Sequence, residues 1–172
     1  MHLTKALARL LSDRGLRESF HRDRAEVARR LGVSNGHLST FLSIDEAGLA
    51  VQAETILKKR FHEVAKLLPH TVGQLGWKAK THFWTYAESY WPSEYRRHLD
   101  DAVHFCRFLL DFPASYVYRS ELNRLRFALE GRRLAVHAVS DLIVAGKPRR
   151  AIQVLYRGSE RQPRQLAICS RL

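Results

Sequence analysis

From Asp45 to Leu68 apolar residues return at three- and four-residue steps, through Leu49, Ala53, Ile56, Leu57, Phe61, Val64, Leu67 and Leu68, until Pro69 ends the run. That period predicts a helix with one packed side. The first forty residues read as three or four short helices, with Thr4, Asp13 and Asp23 as N-cap candidates and Gly32 as a C-terminal stop. After Thr71 the pattern is broken at Gly73 and Gly76, and an aromatic helix follows that holds Trp77, Phe83, Trp84, Tyr86 and Tyr90. The Trp91-Pro92 pair closes it. Ser93 caps the next helix, whose stripe of Tyr95, Leu99, Ala102, Val103, Cys106, Leu109 and Leu110 faces a core before Asp111-Phe112-Pro113 ends it.

Beyond a basic helix with Leu122, Leu125 and Leu129 on one side, which stops at Gly131, the period falls from 3.6 towards two. RRLAVHAV alternates Leu134, Val136 and Ala138 on one face, RAIQVLYR alternates Ile152, Val154 and Tyr156, and QLAICSRL alternates Leu166, Ile168 and Ser170. Three strands are predicted. With Gly146-Lys147-Pro148 and Gly158 to Pro163 as turns, an antiparallel meander is the simplest topology. The fold class is therefore α+β, mainly helical in its N-terminal two thirds with a small three-stranded antiparallel sheet at the C-terminus. Two domains are expected: a helical one over 1–113, and 114–172 as a basic helix plus sheet.

Charge changes this picture. The chain carries +12 net, and residues 114–172 hold twelve Lys or Arg against four Asp or Glu, whereas the rest is near balance. Eleven of those twelve are arginine, whose planar fork pairs bidentately with carboxylates and also with phosphates. An acidic partner is expected. The apolar runs are short and interrupted by Lys, Arg or His, which predicts no membrane span, no signal segment and a cytoplasmic location. Cys106 and Cys169 lack CxxC spacing and read as free thiols in a reducing compartment, not a zinc site.

The segment VARRLGVSNGHLSTFLS has helix-turn-helix spacing over 27–42, with Ala28 at the helix approach, Gly32 at the turn, and Val27, Leu31, Val33, Leu38 and Phe41 as a small shared core. A nucleic-acid-binding regulator is therefore the alternative reading. Against it, Ser34 to Leu42 contains no Arg or Lys, so only Asn35, His37, Ser39 and Thr40 could reach base edges, and the guanine-reading bidentate Arg is missing. Nucleic acid is not the expected partner.

Nine histidines invite a search for metal ligands. Glu18-x-x-His21 and Asp101-x-x-His104 each set a carboxylate and an imidazole one helical turn apart. A di-iron bundle site needs two further Glu, and His21 is flanked by Arg17, Arg22 and Arg24, so these pairs read as solvated helix faces. Glu94, His98 and Asp101 read as a surface cluster of complementary charge. HExxH, GxGxxG, GxxxxGK and nucleophile-elbow patterns are absent from the sequence. No catalytic residue, metal site or cofactor is expected in this chain.

The run ILKKRFHEVAKLLPHTVGQLGWKAKTHFWTYAESYWP, followed by HLDDAVHFCRFL, resembles the partner subunits of multinuclear non-haem iron oxidative enzymes that modify ribosomally made peptides, of the kind found in 3-thiaglutamate biosynthesis. The likeness spans roughly Ala6 to Leu110. It implies a separate TIM-barrel enzyme that holds the iron and performs the oxidation, for instance excision of a cysteine β-carbon at a precursor peptide's C-terminus. The partner subunit is not itself the oxidase. It binds the precursor and docks it on the enzyme, with a leader segment adding a strand to a small sheet against helices.

The residues here are compatible with that role. A three-stranded sheet has two exposed edges whose N–H and C=O groups can take up an extended peptide. The candidate peptide-binding residues are Arg132, Arg133, Val136, Arg149, Arg150, Ile152, Val154 and Tyr156, suited to an acidic leader. Ile152 and Val154 are the positions considered for the open edge. In the aromatic cluster, Trp77 and Trp84 lie seven apart on one stripe and Trp91 sits at a helix break, so Trp77, Trp84, Tyr90, Trp91 and Tyr95 are the candidate interface to the enzyme.

Overall fold

The computed structural model describes residues 2–92, 97–112, 116–158 and 163–169. Among them are nine helices and three strands, a helical majority with a C-terminal three-stranded antiparallel sheet. Two compact units form, one of Met1–Lys59 with Ala87–Trp91, the other of Arg60–Tyr86 with Pro92–Leu172. The boundary expected at 113/114, the Ser93 cap, Tyr95, Glu94, Pro113 and Ser170 lie outside the described residues.

In the first unit α1 (Leu3–Ser12), α2 (Arg14–Arg22), α3 (Arg24–Arg30) and α4 (Asn35–Leu42) lead into α5 (Glu46–Leu67). The short helices are set by their caps: the Asp13 carboxylate accepts from Leu16 N and that of Asp23 from Glu26 N, each at 2.9 Å. Thr4, by contrast, lies inside α1, whose N-cap is His2. Gly32, at φ 63°, follows the end of α3 in the left-handed region where a side chain would be strained. Ala6, Leu10, Leu16, Phe20, Val27, Ala28, Phe41 and Leu49 form the core, Phe20 and Phe41 meeting edge to face at 5.2 Å.

The second unit takes the end of α5, then α6 (Pro69–Leu75), the first part of α7 (Lys78–Ser89), α8 (Arg97–Leu110) and α9 (Arg119–Glu130). Pro69 does end α5, and it also opens α6, where its fixed φ suits the first turn. The helix then passes straight through Gly73, so the expected break there does not occur, and the chain turns at Gly76 instead, at φ 56°. Phe83, Phe105, Cys106, Leu109, Leu122, Leu125, Phe127 and Leu155 are buried.

Asp101 corrects the surface reading of its cluster. Its side chain is 1% exposed and receives Arg60 Nε at 3.0 Å and Nη2 at 2.8 Å, while the Tyr86 hydroxyl donates to it at 2.7 Å. The pairing with His104 is not made, because His104 turns to Asp100. A buried carboxylate is tolerable only when its charge and lone pairs are met in this way.

The sheet runs β1 (Leu134–Val144), β2 (Lys147–Arg157) and β3 (Pro163–Cys169), in the order β1-β2-β3, so the predicted meander is observed. The first turn is tighter than expected: Ala145 and Gly146 make it, both at positive φ, and Lys147 and Pro148 already belong to β2. Between Val139 and Leu142 the register shifts, Ser140 and Asp141 standing against Arg150 alone. This bulge aims Asp141 at the start of α9, where its carboxylate accepts from the backbone N–H of Arg119 and, at 3.1 Å, of Ser120. At the other end Arg157 donates to the carbonyls of Phe127 and Ala128 at 3.1 and 3.0 Å. Opposite charges thus hold opposite ends of the α9 dipole, and β1 and β2 are tied to one helix.

Candidate functional site

α9 covers one side of the sheet. Toward it point Val139, Ala151 and Leu155, all buried, together with Gln153, whose amide donates to Ser120 O at 2.9 Å and to Gln165 Oε1 at 3.2 Å and accepts from Asn123. The alternate positions point the other way. In cross-strand register Val136 stands against Val154 and Leu166, Ala138 against Ile152 and Ile168, and Leu134 against Tyr156 and Arg164. Leu134, Val136, Ile152, Leu166 and Ile168 are between 44% and 60% exposed. The more apolar face of the sheet is therefore its solvent face.

Four of the candidate peptide-binding residues, Val136, Ile152, Val154 and Tyr156, share that face. Arg150 joins them beside the bulge, lining a hollow with Ala138, Ser140, Ile152 and Ile168. Arg149 is exposed near the hairpin turn. Arg132 and Arg133 precede β1, with Arg132 Nε on Glu130 at 2.7 Å and the Arg133 carbonyl accepting from Arg157 N. Ile152 and Val154 are on the central strand, paired on both sides, and so offer no open edge. The edges belong to β1 and β3. Leu166 and Ile168, two of the alternating positions of QLAICSRL, complete the face, and Arg164, just before that run, joins them opposite Tyr156; none of the three is among the candidates above.

The two edges differ. β1 carries the bulge, which interrupts a ladder and guards an edge. β3 pairs with β2 without a shift from Pro163 to Cys169, and Gln165, Leu166, Ala167 and Ile168 are exposed and uncharged. Across the three strands the sequence places five Lys or Arg and one acidic residue, Asp141, which is engaged on α9.

The described aromatic candidates divide between the two units. Trp77 precedes α7 and so does not share its stripe; it is 82% exposed, with Lys78 Nζ 5.6 Å from its ring centre. Trp84 is half-buried against Phe61 at 6.1 Å, under the Lys80 ammonium. Both belong to the second unit. Tyr90 and Trp91 belong to the first, half-buried and exposed respectively.

In the 27–42 segment α3 and α4 enclose the expected core: Val27, Ala28 and Phe41 are buried, with Leu31, Val33 and Leu38 packed on them. Asn35, Ser39 and Thr40 are exposed, while His37 is half-buried beside His2, ring centres 4.9 Å apart. His21 does not pair with Glu18. It meets Glu46 at 2.5 Å, and Arg24 holds the same carboxylate at 2.6 Å, pulling Glu46 below the usual carboxyl range. Among the described residues no group of three or more His, Cys, Asp or Glu is placed to hold a metal ion, and no helix is long and apolar enough to cross a membrane.

No curated protein and no solved structure matches the chain. Residues 43–111, which run from the end of α4 through α8 and hold the aromatic cluster and the Arg60–Asp101 pair, are similar to the SCO6045-like C-terminal domain, a family of uncharacterised proteins.

Proposed function

We propose that this chain is a non-catalytic substrate-recognition partner: it binds an acidic precursor peptide and presents the peptide's cysteine-containing C-terminus to a separate iron-dependent oxidative enzyme of TIM-barrel fold. The observation that carries this reading is the β3 edge, which pairs with β2 without a shift and exposes the uncharged run Gln165, Leu166, Ala167 and Ile168, on a sheet whose strands hold five Lys or Arg against one acidic residue. An extended peptide pairing with β3 gains main-chain hydrogen bonds, and its alternate side chains continue the apolar face begun by Leu166 and Ile168. Acidic side chains in the leader are met by arginine. Trp77, exposed and rigidly amphipathic, suits contact with the enzyme.

The charge half of this proposal is tested at Arg149 and Arg150, neighbouring residues of β2 that are both exposed. Reversing both to Glu weakens precursor binding by about tenfold at low salt, with the difference fading as salt rises. Equal affinity of the wild-type and reversed proteins in low salt contradicts it.

A further inference from the structure

A strand laid on the face of a sheet leaves its own N–H and C=O groups without partners; strands bind sheets at edges. The solvent face here is nonetheless apolar over all three strands, with Leu134, Val136, Ile152, Leu166 and Ile168 exposed in neighbouring rows. What can cover it is an element whose backbone is already satisfied. We propose that this face seats an amphipathic helix with acidic flanks, formed on binding by a peptide that is unstructured beforehand.

Size favours a helix. Three strands span about 10 Å between the outer two, and the four steps from Leu134 to Ala138 cover about 13 Å, which matches a helix about 10 Å across and some nine residues long. The molecule supplies its own precedent, since α9 covers the opposite face with Leu122, Leu125 and Phe127 buried. Charge selects the occupant. Arg150, exposed, lies at one end of the face beside the bulge, and the acidic residue of the strands, Asp141, is engaged on α9. A second copy would bring arginine against arginine. A surface helix of a folded protein has already committed its apolar stripe to its own core, whereas a flexible peptide has that stripe to give.

Identifying the peptide with the precursor rests on the recognition reading above, but the test does not. The probe is a fluorescein-labelled synthetic helix of about fourteen residues, with Leu at i, i+3, i+4 and i+7 and Glu on both flanks. Saturable binding measured by anisotropy, with a gain in helical circular dichroism, is expected. A scrambled peptide of the same composition, and the Val136→Asp/Ile168→Asp protein, each bind at least about tenfold more weakly. Both replaced side chains are exposed, so the unfolding midpoint stays put; if it falls, Leu166→Asp alone serves the same purpose. Replacing the flanking Glu by Lys also weakens binding. Absence of saturable binding, or binding indifferent to the aspartates, overturns the proposal. So does a concentration-dependent dimer in sedimentation that the aspartates dissolve. Because the probe contains no precursor sequence and pairs with no edge, its failure leaves the strand-addition reading to its own measurement.

Discussion

Ile152 of the central strand lies directly opposite Ile168 of β3, and both side chains face solvent, while the next residue along β2, Gln153, is buried and faces α9. The sheet is inverted relative to the usual rule that the apolar alternation points inward. Gln153 is tolerated inside because Ser120 O, Asn123 and Gln165 satisfy its amide. The exposed isoleucines have no such local account. The helix proposed for this face would account for their exposure.

Stability of the second unit depends on the buried pair. Replacing Asp101 by Ala removes the buried carboxylate that meets the Arg60 guanidinium in a site 7% exposed, and the unit loses about 3–5 kcal/mol. Tyr86→Phe removes one charge-assisted donor and costs about 1.5–3 kcal/mol. Urea unfolding of the three proteins checks the order; an Asp101→Ala protein as stable as wild type shows that the pair carries no such weight.

Burial, with a smaller push from Glu121 opposed by Arg126, raises the Cys106 thiol from its ordinary 9.0 to about 12. The folded thiol stays neutral where the unfolded one ionises. Its contribution to stability is therefore complete below pH 9 and declines as the pH rises towards 12. At pH 8 Cys106 reacts with a thiol reagent no faster than the protein unfolds. Rapid labelling of Cys106 in the folded protein contradicts this.

Duplex DNA is expected to bind weakly, without sequence preference, and through the C-terminal arginines. α4 exposes Asn35, Ser39 and Thr40 but offers no cation to a phosphate or a guanine. Selection from a random duplex pool is expected to enrich nothing. An enriched motif that depends on Asn35 or Ser39 makes the segment a DNA reader.

Local signals were legible and distant ones were not. Asp13 and Asp23 cap helices within three residues of themselves, so their role is written in adjacent sequence. Arg60 and Asp101 are 41 residues apart, and an Asp beside His98 and His104 reads as a solvated cluster until the fold brings an arginine to it. The strand period was equally plain, but which parity faces α9 is decided by Asp141 and Arg157 gripping the two ends of that helix, a relation no periodicity contains. For the same reason the edge could not be assigned to β3 before the strand order was seen, and Ile152 and Val154 proved central. The helix-turn-helix spacing predicted a real shared core, and its chemistry is limited by the residues α4 exposes.

The central claim, that an extended precursor peptide adds to the β3 edge, is tested most directly by proline at two adjacent positions, Leu166→Pro and Ala167→Pro. Neighbouring N–H groups on a strand point in opposite directions, one into the β2 ladder and one outward. One of the two variants should therefore keep the wild-type melting temperature and lose precursor binding, while the other loses stability. If the variant that retains its melting temperature also binds the precursor with wild-type affinity, the peptide does not pair with β3 and the account is wrong.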